Sequence, residues 1–240
     1  SIETRIERPI FSTRSEIPGE LKSWEEYKEK VAGLSGKGHL YRGQKQPWRL
    51  RTAFHRRGRY NLFRFLDQDL RILHQRLTAR TRHVFNLQIP DELGAFLNLA
   101  QHHGYPTPLL DWTYSPYAAA FFAFRQVPKN SVSKENVRIF IFDQQSWRST
   151  FSQMTMLNAP GLHVSVIEFL AIENERLVPQ QAATILTNVD DIEKYFCTRE
   201  DERKCKYLSA IDIPWSERKK VISELSYMGI TAGSMFPGLD

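Results

Sequence analysis

Cysteine is nearly missing from this chain: Cys197 and Cys205 are the only two among 240 residues. That excludes the disulfide framework of a small secreted domain and points to a reducing, cytoplasmic setting. No Cys/His spacing suits a structural zinc site, so no metal is expected. No apolar run reaches the roughly 18 residues of a membrane span, so no membrane partner is expected. The opening "SIETRIERPIFSTR" lacks a basic start followed by an apolar stretch and does not read as a secretory signal. There is no internal repeat, no Ser-His-Asp constellation and no phosphate loop; "GKGHLYRG" has glycines without the P-loop spacing.

Acidic residues are scarce where basic ones crowd. Between Arg42 and Arg82 only Asp67 and Asp69 oppose a dense run that includes Arg49, Arg51, Arg56, Arg57, Arg59 and Arg64. Arginine dominates lysine there, and guanidinium suits two-point contact with phosphate. The net charge of +6 adds to this. A polyanion such as nucleic acid, or a phosphorylated small molecule, is one expected partner; a solvated helix face is the plainer reading.

What the chain has is enough apolar residue, 41%, for one sizeable core. Residues 1–22 read as an N-terminal arm and 23–240 as a single domain. Ser23 with Glu26 forms a capping-box pattern opening a helix. "GHLYRGQ" reads as a short strand ending in a turn. Residues 60–83 carry the longest helical periodicity, with Leu62, Phe65, Leu66, Leu70, Leu73 and Leu77 on one face. "PDELGAFLNLAQHH" reads as a helix capped by Asp91, and Ser115-Pro116 open another that runs to about Arg125. "VRIFIFD", "HVSVIEFL", "AATILTN" and "CKYLSAIDI" read as strands, and "DDIEKYF" and "SERKKVISELSYMG" as helices, the last stopped by Gly229. The expected class is α+β, with helices in the first half and a mixed or antiparallel sheet in the second.

Three stretches carry candidate chemistry. The first is "TPLLDWTYSP", read as a loop before an apolar helix. Helix N-termini attract anions, and this one brings Asp111, Trp112, Thr113, Ser115 and Tyr117. The plainer alternative makes Ser115 and Asp111 simple caps. The second is Tyr41 to Gln44, "YRGQ", where Arg42 could reach a phosphate and Gly43 lets backbone come close. The third is "NERLVPQQAATIL", with Arg176, Gln180 and Gln181 at a strand entry. His102 and His103 are candidate general bases, or helix-end histidines favoured by the dipole; with Asp111 they would suit a hydrolase or nuclease.

These residues resemble the FRG domain family, named for a (Phe/Tyr)-Arg-Gly motif that here is Tyr41-Arg42-Gly43. The family's central block resembles "LAQHHGYPTPLLDWTYSPYAAAFFAF", residues 99–124. Its later block resembles Arg176 to Gln181, and its end resembles "ELSYMGITAGSMFPGLD". The resemblance spans roughly residues 24–240. The order of these motifs is in turn similar to that of ADP-ribosyltransferases, which place an Arg or His at a strand end, then a Ser/Thr motif opening a helix, then a third strand with Glu or Gln.

That likeness implies a split sheet, NAD as substrate, and a bacterial toxin–antitoxin or phage-defence effector acting on a nucleic-acid or protein acceptor, with an antitoxin as partner. It assigns catalytic parts to Arg42, Thr113, Ser115 and Gln181. It assigns NAD contacts to Arg42, Gln44, His103, Asp111, Trp112, Tyr117, Arg176 and Gln180. Many such transferases carry glutamate in the third motif, where this chain has "PQQAATIL". An amide cannot stabilise a cation as a carboxylate does, so the charge would come from Asp111, Glu168 or Glu224. The alternative is a non-catalytic module that binds nucleotide or nucleic acid.

Overall fold

The computed structural model describes residues 12–59, 61–154, 159–167 and 180–237. Among these described residues there are seven strands: β1 (Gly19–Leu21), β2 (Leu40–Gln44), β3 (Leu109–Thr113), β4 (Asn136–Phe142), β5 (Val164–Ile167), β6 (Ala182–Thr187) and β7 (Leu208–Pro214). The helices of the first half are α1 (Trp24–Ala32), α2 (Ala53–Arg56), α3 (Leu62–Arg64), α4 (Leu70–Thr78), α5 (Pro90–His102) and α6 (Pro116–Phe124). Those of the second are α7 (Gln144–Thr150), α8 (Ile192–Arg203), α9 (Arg218–Tyr227) and α10 (Ala232–Met235). Among the described residues no helix is long and apolar enough to cross a membrane.

The class is α+β, but helices and strands are interspersed rather than divided between the halves. Three of the strands precede residue 114. The stretch read as a loop before the apolar helix is strand β3. Its five residues are too few to show alternation, and both faces are covered except at Asp111. Proline on either side of Thr107 adds a turn signature that belongs to the lead-in, not to the strand. The long helical pattern at 60–83 is broken by a π-turn at Phe65–Asp69 and stops at Thr78. Asp91 sits inside the first turn of α5 rather than capping it; Ile89 precedes Pro90 at that end. The predicted strand "HVSVIEFL" is β5 through Ile167, and its last three residues lie outside the described residues.

All seven strands form one sheet in the order β1-β7-β4-β2-β3-β6-β5. Only β1–β7 is parallel. The sheet is covered on both faces, so the inner strand β4 is apolar on both of its sides from Ile139 to Phe142. Val137, Ile139 and Ile141 face the core under α1, α6 and α9, while Phe140 and Phe142 face a second core with Trp147 and Phe196. A third cluster joins α4 and α5 to Leu109 and Leu186.

Two features position the site. Helix α6 carries Ala118, Ala119, Ala120 and Ala123, all buried, and lies flush on β2. A Cβ on Gly43 would overlap the Ala119 carbonyl oxygen and stand 2.9 Å from the Ala123 nitrogen. Gly43 thus serves close helix–strand packing; the backbone approach expected there for a phosphate is made to α6 instead. The second feature is a parting of the sheet. Strand β2 pairs with β4 at five positions from Leu40 to Gln44, and β3 with β6 at five from Leu109 to Thr113. Between β2 and β3 the register holds at Tyr41↔Thr113 alone.

Candidate functional site

A cleft of about 400 Å³ opens where β2 and β3 separate. Arg42 of β2 reaches across it, and its Nη1 donates to the Asp111 backbone carbonyl at 2.7 Å. The side chain does there what the missing ladder would have done, satisfying a strand carbonyl. Its Nε is buried and without a hydrogen-bond partner among the described residues. Burial strips water from the guanidinium and pushes its pKa down to about 10; the Asp111 charge opposes that shift and Arg56 adds to it.

Asp111 projects into the cleft, touching water through the mouth and protein on its other sides. Burial raises its carboxyl above the ordinary carboxylate value, against the pull of Arg42 and a hydrogen bond from Gln101. That bond runs from Gln101 Nε2 to Asp111 Oδ2 at 2.5 Å. Behind it the fully buried Thr107 donates its hydroxyl to Gln101 Oε1, which sets which end of the amide faces the carboxylate.

Thr113 also lines the cleft, at the end of β3. Its hydroxyl donates to the Gln180 carbonyl at 2.6 Å and accepts from the Ser115 backbone N–H at 3.0 Å. This joins β3 to the turn that enters β6. Gln180 lines the cleft as well, and its Nε2 donates to the Met235 carbonyl at 2.7 Å, tying that turn to α10. Gln44 and Trp112 are among the lining residues too.

The other predicted site residues lie elsewhere. Ser115 caps α6, its Oγ accepting from the Ala118 N–H at 3.1 Å. Gln181 has a left-handed backbone (φ 46°), and its carbonyl accepts from the Tyr114 N–H. Tyr117 packs edge-on to Trp24 in the core beneath α6. His103 is an exposed C-cap of α5, whereas its neighbour His102 lines the cleft. Arg176 and Glu168 lie outside the described residues. Glu224 accepts from Trp24 Nε1 and from Lys28, each at 2.7 Å, away from the cleft lining.

Of the basic residues, Arg49 is covered and ion-paired to Glu16 and Asp191, Arg51 pairs with Asp190, and Arg59 with Asp69. Arg56, Arg57 and Arg64 are exposed, and Arg56 lines the cleft.

Sequence reasoning missed one wall altogether. Arg125, at the C-terminal end of α6, lies 4.6 Å from the Phe236 ring centre and 5.7 Å from that of Phe122, and all three line the cleft. Arg125 follows Phe122 at helical spacing, which was a visible signal; its meeting with Phe236 depends on tertiary structure. Gln101 and Trp48 were missed as well. Trp48 is 42% exposed at the cleft, an unusual place for a tryptophan and a readable one only once the surface is known.

The FRG domain family model matches residues 37–131, a segment that runs from the approach to β2 to just past α6. The resemblance seen at Tyr41-Arg42-Gly43 and at residues 99–124 is therefore shown by that match, which ends before Gln180. No curated protein and no solved structure matches the chain.

Proposed function

We propose that this cleft binds NAD and that the chain is an ADP-ribosyltransferase-like effector of a bacterial toxin–antitoxin or phage-defence system. One observation carries the reading. Segments far apart in sequence, at Arg42 on β2, at Asp111 and Thr113 on β3, and at Gln180 in the turn that enters β6, line a single cleft. Each of the three motifs of the transferase likeness sends a residue to this lining, Arg42, Thr113 and Gln180, while Ser115 and Gln181 stay outside it.

The lining chemistry suits a dinucleotide. Arg42, Lys45, Arg56 and Arg125 face one acid, Asp111, so the cleft favours an anion such as a pyrophosphate. Arg42 is the strongest candidate for that contact, because an anion would restore the stabilisation its guanidinium loses on burial. Trp48, Phe122 and Phe236 offer flat apolar faces for a base or a nicotinamide ring. Loss of nicotinamide passes through an oxocarbenium-like state, which a site of this kind accelerates by holding the ribose and by electrostatics. The exposed Arg57 and Arg64 would offer phosphate contacts to a nucleic-acid acceptor.

A non-catalytic nucleotide-binding module is the second reading. It is favoured by the local hydrogen bonds that engage both Thr113 and Ser115. Incubation with labelled NAD and cell lysate or nucleic acid separates the two. The transferase reading expects nicotinamide release that Arg42→Lys abolishes. Binding of ADP-ribose without release would establish the module, and neither binding nor release would overturn both.

A further inference from the structure

The proposed function leaves one chemical part unassigned: a carboxylate to face the ribosyl cation, since the third motif supplies amides. We propose that Asp111 is that carboxylate, set in place by Gln101 and Thr107 and accepting the acceptor's proton. The inference rests on the transferase reading of the cleft.

Several observations support it. Asp111 is the single acid among the described residues that line the cleft. Its carboxylate is oriented through one oxygen: Oδ2 takes the Gln101 hydrogen bond, while Oδ1 accepts nothing among the described residues and is free for a proton in transit. The Thr107 hydroxyl holds Gln101 from behind, and Thr107 is wholly buried, so the relay is rigid. Arg42, the expected pyrophosphate ligand, is bonded to the backbone carbonyl of the same Asp111, which couples the anion contact to the carboxylate in space. Burial raises the Asp111 carboxyl, which makes it a better proton acceptor than an ordinary aspartate.

In the step this implies, the bond from ribose C1′ to the nicotinamide nitrogen breaks, and both electrons go to the ring nitrogen. Nicotinamide thereby leaves neutral. A lone pair on the acceptor's oxygen or nitrogen forms the new bond to C1′. The acceptor's proton passes to Asp111 Oδ1 and then to water. With water as acceptor the same step is NAD hydrolysis.

The test uses the full chain, with nicotinamide release measured against pH and ADP-ribose binding measured by calorimetry. Asp111→Asn is expected to bind ADP-ribose within about threefold of the native protein while release falls roughly 100-fold or more, the usual range for removing an acid–base group. Native release is expected to fall on the acid side with a midpoint above the ordinary carboxylate range. Gln101→Leu removes a donor that favours the ionised form, so it moves that midpoint higher. Full release by Asp111→Asn with an unchanged acid limb overturns the proposal while leaving the transferase reading intact. If Asp111→Asn does not fold, Gln101→Leu decides, and an unmoved midpoint overturns it. No release by the native protein, with any acceptor, overturns the transferase reading and this inference with it.

Discussion

At Gly43 the smallest side chain decides how closely a helix and a strand can approach. Any Cβ there collides with the backbone of α6 at Ala119, and backbone cannot swing aside as a side-chain tip can. Gly43→Ala is therefore expected to cost about 1–3 kcal/mol, the usual range for overpacking, read as a lower midpoint in denaturant. Its neighbour Arg42 shows how far a residue can be read from sequence. The type of Arg42 was legible in the Tyr-Arg-Gly pattern; its place was not, because the pattern reads as a strand end and Arg42 is the middle residue of β2. Its bond to the Asp111 carbonyl was not, since that depends on β2 and β3 parting. The same holds for Gln101, whose role follows only from being placed against Asp111.

Among the elements, α6 was the most legible. Ser115-Pro116 announced its start, and the structure bears out both the cap and the run to Phe124. The capping box of Ser23 and Glu26 and the stop at Gly229 were likewise readable, because caps act within one turn of sequence. Strand β3 was not readable, since its burial on both faces comes from tertiary contacts with elements both earlier and later in the chain. The cap makes a sharp prediction. Ser115→Ala should cost about 1 kcal/mol in thermal unfolding and leave nicotinamide release per folded molecule unchanged. A much larger loss of release would return Ser115 to the chemistry. Element α8 offers another. Glu193, 1% exposed, accepts from the backbone N–H groups of Glu16, Ile17 and Leu50 and from the Ser15 hydroxyl. Glu193→Ala should speed hydrogen exchange at Glu16, Ile17 and Leu50, because three donors, two of them buried, lose this acceptor at once.

For the whole molecule, charge and pH enter together. A cleft with more cations than acids should gain stability from an anionic ligand. ADP-ribose at 100 times its dissociation constant is expected to add about 2.7 kcal/mol, an increment that shrinks as salt weakens binding. Asp111 acts in the opposite sense when the cleft is empty. Its folded pKa is raised, so the native state holds the proton more tightly than the unfolded chain does. Stability from this group is present below the ordinary carboxylate pKa and is lost as pH rises through the raised value. Thermal unfolding across that window should therefore show a smaller loss in Asp111→Asn than in the native protein. At this scale the class of the fold was legible in the sequence and the strand order was not, because order is set by pairings between residues as distant as Leu110 and Ile185.

The parting of the sheet has a mechanical consequence. On one side stand β1, β7, β4 and β2, and on the other β3, β6 and β5, each a laddered slab. From strand to strand they share one rung at Tyr41↔Thr113 and one strut, the Arg42 side chain, while α6 and the core around Trp112 and Phe142 lie across both. With so few backbone hydrogen bonds across it, this seam is expected to open more readily than the ladders on either side, as the covers of a book part from the spine. A ligand held by Arg42 on one side and by the β3 side of the cleft on the other would act as a clasp on the two covers. Its arrival should be legible in the amides of β2 and β3, which would exchange more slowly while those of β4 and β7 stay as they were.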